Sequence, residues 1–133
     1  PKTFNLISDR KNKWTGSWGK RSITNKKGEL KQAGKIECKE FGIRFNIWEI
    51  NNGFGFSTKD KIAYEHPAIF PEQLANDHII SWSNRGDIIL DPMAGSGTTL
   101  KVARNLGRQY IGIELNENYI KLAEQRLAQQ VLL

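Results

Sequence analysis

Two acidic residues in the second half of the sequence each close a short apolar run. Asp91 follows Ile-Ile-Leu, and Glu114 follows Tyr-Ile-Gly-Ile. Such runs are typical of strands in a parallel sheet that is buried on both faces. Ligands of open α/β sheets bind outside the carboxyl ends of the strands, and Gly95 and Gly97 allow the backbone to turn tightly and approach a ligand there. The sequence therefore predicts a small-molecule site at this end of a sheet.

Local signals predict the elements around these residues. A helix should begin near Thr98, because hydroxyl groups suited to an N-cap are offered by Ser96, Thr98 and Thr99. It should end at Gly107, which suits a left-handed cap. A second strand, 110–114, then places Glu114 slightly less than about 20 residues after the glycines, where Rossmann-like sites bind ribose hydroxyls.

Other interpretations of the glycine turn are weaker or less specific. A Gly-x-Gly sequence can serve packing alone. A nicotinamide or flavin dinucleotide site would require a third glycine where Leu100 stands, and a P-loop would require Lys-Ser or Lys-Thr after Gly97.

Three motifs carry a resemblance to a known family. Residues 91–99 read Asp-Pro-Met-Ala-Gly-Ser-Gly-Thr-Thr. This run resembles motif I of the S-adenosylmethionine-dependent amino-methyltransferases that modify adenine N6 or cytosine N4 in DNA. Residues 66–72 resemble motif X of that family, and residues 111–115, with Tyr119, resemble motif II and its helix.

The resemblance is specific from about Glu65 to Leu127 and loose from Trp14 to Ile50. It implies S-adenosylmethionine as the cofactor, with Asp91 near its amino-acid end and Glu114 on the ribose hydroxyls. The family most often has phenylalanine where this chain has Met93, whose thioether can fill the same apolar place. The cofactor-binding residues that the resemblance implies are His66, Phe70, Asp91, Pro92, Met93, Gly95, Ser96, Gly97, Thr98 and Glu114.

The catalytic tetrapeptide of the family, an Asp, Asn or Ser followed by Pro-Pro and an aromatic residue, is missing. The chain has no Pro-Pro pair, because its prolines are Pro1, Pro67, Pro71 and Pro92. In one class of the family the catalytic motif precedes the recognition region, motif X, motif I and motif II. We therefore expect the carboxyl-terminal half of a site-specific methyltransferase of the restriction-modification type, inactive alone. Its expected partners are double-stranded DNA and an amino-terminal catalytic half, in cis or in trans, or a second copy; adenine is expected ahead of cytosine.

The resemblance also implies an α/β fold, with a partial Rossmann-like methyltransferase sheet of two parallel strands and helices, preceded by an irregular β-rich recognition segment. Residues 1–63 would be the basic target-recognition-like segment, and residues 64–133 the S-adenosylmethionine-binding half-domain. In a whole enzyme, both strands would be flanked by strands of the other half. In this chain each strand is expected to have an unpaired edge.

Positive charge is concentrated in the front half. Residues 1–65 contain fourteen Lys and Arg against seven Asp and Glu, whereas the remainder contains six against seven. Cations neutralise phosphates and aromatic rings stack on bases, and the family's recognition region lies in this part. DNA contacts are expected from Lys11, Lys13, Trp14, Trp18, Lys20 and Arg21. The alternative is a solvated surface whose tryptophans fill a small core.

The front half is predicted to be mainly loop. Residues 14–21 and 24–29 are rich in turn-forming residues. Residues 45–50 alternate apolar and polar and predict a strand, followed by a turn at 51–55. No long helix is predicted before Pro71.

Two further helices are predicted. Pro71 suits the first position of a helix that ends near 83–86, with an apolar face of Leu74, Ala75, His78, Ile79 and Trp82. His78 is interpreted as a core histidine rather than a catalytic base, and His66, before Pro67, either lines the cofactor or shapes a turn. The last helix begins near Asn116 or Asn118 and runs to the end, with a packing stripe of Ile120, Ala123, Leu127 and Val131.

Composition limits the setting of the protein. The single Cys38 cannot form an internal disulfide and lacks the neighbours of a metal site, which favours a reduced, cytoplasmic environment. The apolar runs are too short to predict a membrane segment, and the amino terminus lacks a signal-peptide pattern. Because it begins at Pro1, the chain is expected to start within a longer protein or after processing.

Two rival functions come from other classes. One is a non-catalytic DNA-binding or split-enzyme partner subunit that retains the cofactor fold, which the missing tetrapeptide favours. The other is a dinucleotide-dependent oxidoreductase, which should prefer a nicotinamide cofactor to S-adenosylmethionine.

Overall fold

The computed structural model describes residues 3–129, which form two compact units. One is Leu6–Asn46, and the described part of the other consists of residues 3–5 and 47–129. The sequence predicted a recognition segment, 1–63, and a cofactor-binding half-domain, 64–133. These bounds differ from those of the two compact units, and the roles of the two segments stay predictions.

The Leu6–Asn46 unit contains two small antiparallel sheets. Its four strands are β1 (Arg10–Lys11), β2 (Gly16–Thr24), β3 (Leu30–Cys38) and β4 (Phe41–Gly42). Strand β1 pairs with β4, and β2 pairs with β3 in a long hairpin.

This hairpin corrects the loop predicted at 14–21, because residues 16–21 are in β2 while residues 14 and 15 are in no strand. Its turn lies within the predicted turn at 24–29, where the Asn25 side-chain oxygen accepts hydrogen bonds from the amides of Lys27 and Glu29. Once that turn is closed, cross-strand hydrogen bonds outweigh the weak strand propensity of the glycine and serine residues in β2. The pairing joins residues that are distant in the sequence, such as Gly16 and Cys38, so local sequence patterns do not predict it.

The predicted strand at 45–50 does not form. Phe45 and Ile47 are 65% and 78% exposed, and the segment is in no strand. The guanidinium of Arg10 lies 4.7 Å from the centre of the Phe45 ring. A cation–π contact therefore takes the place of the sheet burial that the alternation predicted. Residues 51–55 turn as predicted.

The other unit contains a β–α–β arrangement. In chain order its elements are a 3-10 helix (Lys61–Glu65), α1 (Glu72–Trp82), β5 (Ile88–Asp91), α2 (Thr98–Asn105), β6 (Gln109–Gly112) and α3 (Glu117–Ala128). Strands β5 and β6 are parallel and adjacent, with α2 connecting them. The predicted strand, helix and strand are present, but the second strand is Gln109–Gly112 rather than 110–114, so Glu114 lies just beyond it. Within the described ranges, no helix has the length and apolarity needed to span a membrane.

Helices α1 and α2 cover one face of the β5–β6 sheet. Ala75 and Ile79 of α1 pack with Val102 and Ala103 of α2, and Ile89 of β5 joins this cluster. The opposite face, which we call the open face, is between 51% and 60% exposed at Ile88, Leu90, Ile111 and Ile113. The prediction that β5 is buried on both faces is therefore wrong for this chain, because one layer of helices is present in the described residues.

Helix α1 buries part of the predicted face, because Ala75 and Ile79 are buried whereas His78 and Trp82 are exposed. Pro71 is its N-cap rather than its first residue. The buried residues of α1 are Ala75, Asp77, Ile79 and Ser81. His78 is exposed, and its ring centre lies 5.3 Å from that of Trp48. The prediction of a core histidine is therefore wrong, since Ala75 and Ile79, rather than His78, pack on α2.

Helix α3 begins as predicted but packs on a rotated face. The Asn116 side chain caps it, accepting a hydrogen bond from the Asn118 amide at 2.9 Å. The buried residues of α3 are Leu122, Ala123 and Arg126. Of the predicted stripe, Ala123 is buried, Leu127 is half-buried and Ile120 is 37% exposed, while Val131 lies outside the described residues.

Glycines with left-handed φ angles bound helix α2. Gly107, with φ +73°, follows its carboxyl end as predicted. The N-cap is Gly97, with φ +75° and no side-chain hydrogen bond, rather than one of the predicted hydroxyl groups. A Cβ on Gly97 would lie 2.9 Å from the Cβ of Ala123. Both the conformation and the packing of this turn therefore require glycine.

We predict that Gly97→Ala destabilises the protein more than Gly86→Ala. Both residues have positive φ, so each alanine carries a strain of about 1–2 kcal/mol. No atom lies within 4 Å of a Cβ on Gly86, whereas the conflict with Ala123 should add about 1–3 kcal/mol in Gly97→Ala. Urea unfolding measures the difference, and equal losses of unfolding free energy would contradict the close packing of the turn on α3.

Candidate cofactor-binding site

The turns that follow β5 and β6 are joined through their backbones. The Ile113 amide donates to the Asp91 carbonyl oxygen, and the Ala94 amide donates to the Ile113 carbonyl oxygen, both at 2.9 Å. These bonds extend the pairing of the strands beyond their last regular residues. They bring Gly95 beside Glu114, so both predicted strand-end acids lie at one end of the sheet.

Glu114 holds the turns together through its carboxylate. Oε2 accepts a hydrogen bond from the Gly95 amide at 2.8 Å, and Oε1 accepts from the amides of Leu115 and Asn116 at 2.9 Å. Hydrogen bonds from the Asn116 and Gly95 amides lower the pKa of Glu114, and the smaller effect of desolvation opposes them. An ionised carboxylate offers about four lone-pair sites, so Glu114 keeps acceptor capacity for a ligand.

His66 lies against the first glycine of the turn. A Cβ on Gly95 would be 3.0 Å from His66 Nε2. The imidazole centre is 4.2 Å from the ring centre of Tyr119. Nδ1 accepts a hydrogen bond from the Ala68 amide at 3.1 Å. His66 therefore shapes the turn after Pro67 and at the same time turns Nε2 towards the glycine loop.

The other predicted site residues of this loop and of motif X are more exposed. Asp91 is half-buried, and its Oδ1 accepts a hydrogen bond from the Met93 amide at 3.1 Å. Pro92 is exposed, as is Met93 at 83%. Phe70 lines an apolar hollow of about 370 Å³ with side chains of α1, Ile89 and Thr99. The structure thus gathers His66, Gly95 and Glu114, with Phe70 in a separate hollow.

A second hollow, of about 530 Å³, opens beside β6. Ala94 and Glu114 line it at the glycine turn, and Ile120 and Leu127 line it on α3. Its other walls include Leu100 and residues of β6. Apolar walls beside a charged hydrogen-bond acceptor are suited to a small ligand that has both a flat apolar part and hydroxyl groups.

Ser96 and Thr98 are buried, and their hydroxyl groups contact a residue that the sequence interpretation missed. Nη1 of Arg126 donates to the Ser96 carbonyl oxygen at 2.6 Å, to Ser96 Oγ at 3.0 Å and to Thr98 Oγ1 at 3.1 Å. Arg126 is fully buried. The available signal was a charged residue three positions after Ala123, on the packing face of an amphipathic helix.

Carboxylates on other segments hold Arg126. Nε donates to Asp60 Oδ2 at 2.8 Å, and Nη2 donates to Glu72 Oε1 at 3.0 Å. Lys101 Nζ lies 3.4 Å and 3.0 Å from the same two oxygens. Burial raises the pKa of Asp60, but hydrogen bonds from Arg126 and Gln129 and the charges of Lys101 and Arg126 outweigh it, so the pKa lies below its usual value.

The predicted DNA-binding residues all lie in the Leu6–Asn46 unit, which contains eleven Lys and Arg against four Asp and Glu. One group lies in or just after β1: Lys11, Lys13 and Trp14. The other group lies in β2: Trp18, Lys20 and Arg21. Trp14 is 50% exposed, and its carbonyl oxygen accepts a hydrogen bond from Cys38 Sγ at 3.3 Å. Contact of these six predicted residues with DNA stays a prediction.

The chain has a β–α–β unit with a glycine turn after its first strand and an acid at or just beyond the end of each strand. Nucleotide-binding sites of α/β proteins are commonly built on this arrangement. The family model described as DNA methylase, which represents N6 and N4 methyltransferases, matches residues 3–125. The chain belongs to this DNA methylase family. The family predicted from the three motifs is therefore confirmed, and S-adenosylmethionine is the cofactor of that family.

Named relatives support the same assignment. The orphan methyltransferase M.BamHII of Bacillus amyloliquefaciens is 53% identical over 138 residues, covering 100% of this chain and 51% of its own length. The DNA adenine methyltransferase YhdJ of Escherichia coli (strain K12) is 53% identical over 62 residues, 47% of this chain and 21% of its own length. The chain thus spans about half the length, or less, of these relatives.

A solved structure is similar to about two thirds of the chain. The PvuII cytosine-N4-specific DNA methyltransferase matches 65% of this chain and 33% of its own chain, with a TM-score of 0.58 and 25% sequence identity. An α/β fold for this chain agrees with that similarity.

We predict that acid destabilises the protein partly through Asp60. Its folded-state pKa is lowered from 3.8, so ionised Asp60 stabilises the fold above the unfolded-state pKa. That contribution is lost as the pH falls through the folded-state pKa. Asp60→Asn should lower the unfolding free energy at neutral pH by about 3 kcal/mol and reduce its decline below about pH 4.

Urea unfolding between neutral pH and pH 3 measures this effect. Glu65→Gln, which changes an exposed carboxylate of the same unit, is the matched control and should keep the wild-type decline. An Asp60→Asn profile parallel to the wild type would contradict the role of Asp60.

Proposed function

We propose that this chain forms the S-adenosylmethionine-binding part of a DNA methyltransferase that methylates an exocyclic amine of a base. The contact between the Gly95 amide and the Glu114 carboxylate carries the proposal. It fixes a glycine turn against the acid at the end of the next strand, the arrangement that holds a nucleoside in Rossmann-like sites. The β–α–β unit would be part of such a sheet.

The chemistry of the site fits this cofactor. Glu114 would accept hydrogen bonds from ribose hydroxyls, and the hollow beside β6 would offer apolar walls to the adenine ring. The Asp91 carboxylate would attract the ammonium group of the amino-acid end. Ser96 and Thr98 would contribute through their backbones, since their hydroxyls already accept hydrogen bonds from Arg126.

The remaining predicted residues would complete the site around these groups. Gly95 and Gly97 would allow close approach of the backbone. His66 would contribute its Nε2 face, and apolar contacts would come from Phe70, Pro92 and Met93.

Bound S-adenosylmethionine supplies a methyl group on a positively charged sulfur. The chain's own part is to bind and orient this group, because the sequence contains no Pro-Pro pair that could hold a target amine. We propose that the base-holding group comes from another segment, in the same polypeptide, in a partner or in a second copy. The open face supports a covering segment, since a parallel sheet is normally covered on both faces.

The Leu6–Asn46 unit is the proposed DNA-contacting part. Its excess of basic residues supports binding to phosphates. Adenine is the proposed target base, and the 53% identity to a DNA adenine methyltransferase supports it. In that proposal the aromatic side chains of this unit contact bases or grooves.

A second candidate is a non-catalytic DNA-binding or split-enzyme partner subunit. The absence of the tetrapeptide from the sequence favours it as a description of the isolated chain. Methyl transfer to DNA by this chain alone would exclude it. Transfer only after addition of a separate amino-terminal half would support the split enzyme.

We predict saturable binding of S-adenosylmethionine, measured by titration calorimetry of the full chain. Asp91→Ala and Glu114→Gln should each weaken binding at least about tenfold, equivalent to about 1.4 kcal/mol, because each removes a charged acceptor. Glu117→Gln, at an exposed position in the first turn of α3, should keep the wild-type affinity. No binding by a folded chain, or equal affinities for all variants, would reject the proposed site.

We also predict salt-dependent binding of duplex DNA through the Leu6–Asn46 unit. Replacing Lys11 and Lys13 together with alanine should reduce the slope of log affinity against log salt by about 2, one unit for each phosphate contact. Lys121→Ala, at an exposed position on α3, is the control and should leave the slope unchanged. Fluorescence anisotropy at several salt concentrations measures it, and an unchanged slope in the double variant would exclude these two lysines.

A further inference from the structure

Arg126 is the one fully buried cation in the described residues that contacts the glycine turn directly. Its side chain has 0% relative exposure, and every nitrogen of the guanidinium donates to an oxygen of another segment. One nitrogen, Nη1, serves the carbonyl and hydroxyl of Ser96 and the hydroxyl of Thr98. The other two serve carboxylates that do not belong to the turn.

Those carboxylates form the anchor of Arg126. Asp60 precedes the 3-10 helix, and Glu72 begins α1. Thr58 Oγ1 donates to Glu72 Oε1 at 2.6 Å, and Lys101 on α2 contacts both acids. Two carboxylates therefore balance two cations. No buried side-chain nitrogen or oxygen in the described part of the chain lacks a partner.

The position of Ser96 in the turn explains how this anchor could affect the conformation of the turn. It lies between Gly95, with φ +51°, and Gly97, with φ +75°. Glycine has more accessible backbone conformations than any other residue, so Ser96 is flanked on both sides by the most flexible positions of the turn. Its carbonyl oxygen, held at 2.6 Å by Arg126, fixes the peptide between them.

Arginine is suited to this task for a geometric reason. Its planar guanidinium holds its N–H donors in a fixed geometry. Once Nε is bonded to Asp60 and Nη2 to Glu72, the direction of Nη1, which faces Ser96, is determined. A ligand site depends on such support, because a displacement of about 1 Å in a binding group can reduce function about a hundredfold.

We propose that Arg126 is a positioning residue for cofactor binding. Held by Asp60 and Glu72, it keeps the Gly95–Gly97 turn in the conformation that accepts S-adenosylmethionine. This inference rests on the proposed function, because it assigns the cofactor to that turn. It adds that the affinity of the site is set in part by carboxylates that touch neither the turn nor the cofactor.

Arg126→Lys and Glu72→Gln test the proposal. Lysine keeps the charge but loses the fork, and glutamine keeps an acceptor of similar shape while weakening the hold on Arg126. Arg104→Lys is the matched control, because Arg104 also joins α2 to α3, through the carbonyl oxygens of Leu127 and Gln129, without touching the turn. Each variant is studied well below its melting temperature.

The measurements are the S-adenosylmethionine dissociation constant and the hydrogen exchange of the Gly95 and Gly97 amides. We expect Arg126→Lys to weaken binding about tenfold or more, Glu72→Gln to weaken it less, and both to speed exchange at these amides. Arg104→Lys should change thermal stability alone. A purely structural role would lower the melting temperature without changing the affinity of the folded protein.

The outcomes separate this proposal from the proposed function. Wild-type affinity in folded Arg126→Lys and Glu72→Gln would overturn the positioning role. If the wild-type chain bound no S-adenosylmethionine, the proposed function would fail. Amide exchange would then still decide whether Arg126 orders the turn, and unchanged exchange in Arg126→Lys would reject that too.

Discussion

The burial of the Arg126 guanidinium is the constraint on which the β–α–β unit depends. A buried cation is tolerated only when paired charges and hydrogen bonds replace its hydration. Here Asp60, Glu72 and the Ser96 carbonyl oxygen replace it. These groups come from separate segments. Pairing the Arg126 charge therefore holds the glycine turn, the start of α1 and the packing face of α3 in fixed positions relative to one another.

The glycine turn is held from two sides by groups of opposite sign. The Glu114 carboxylate accepts from the Gly95 amide, and the Arg126 guanidinium donates to the Ser96 carbonyl oxygen one residue later. An amide and a carbonyl of consecutive residues are therefore fixed in different directions. This arrangement defines the course of a glycine-rich backbone that would otherwise have a large conformational entropy.

The sequence predicted the elements that local signals determine. Apolar runs, the cap at Asn116 and the left-handed Gly107 identify β5, α2, β6 and the start of α3, and the strand-end acids identify where the turns meet. The sequence did not predict what distant pairing decides. The hairpin of β2 and β3 forms against its local composition, and His78 is exposed because Ala75 and Ile79 of α1 face α2 instead. The role of Arg126 depends on carboxylates 54 and 66 residues away, beyond any helical period.

The groups that shape the glycine turn all come from a continuous stretch between Thr58 and Gln129. No residue of the Leu6–Asn46 unit is needed for any of these contacts. A gene segment that encodes this stretch therefore carries the turn together with its supports.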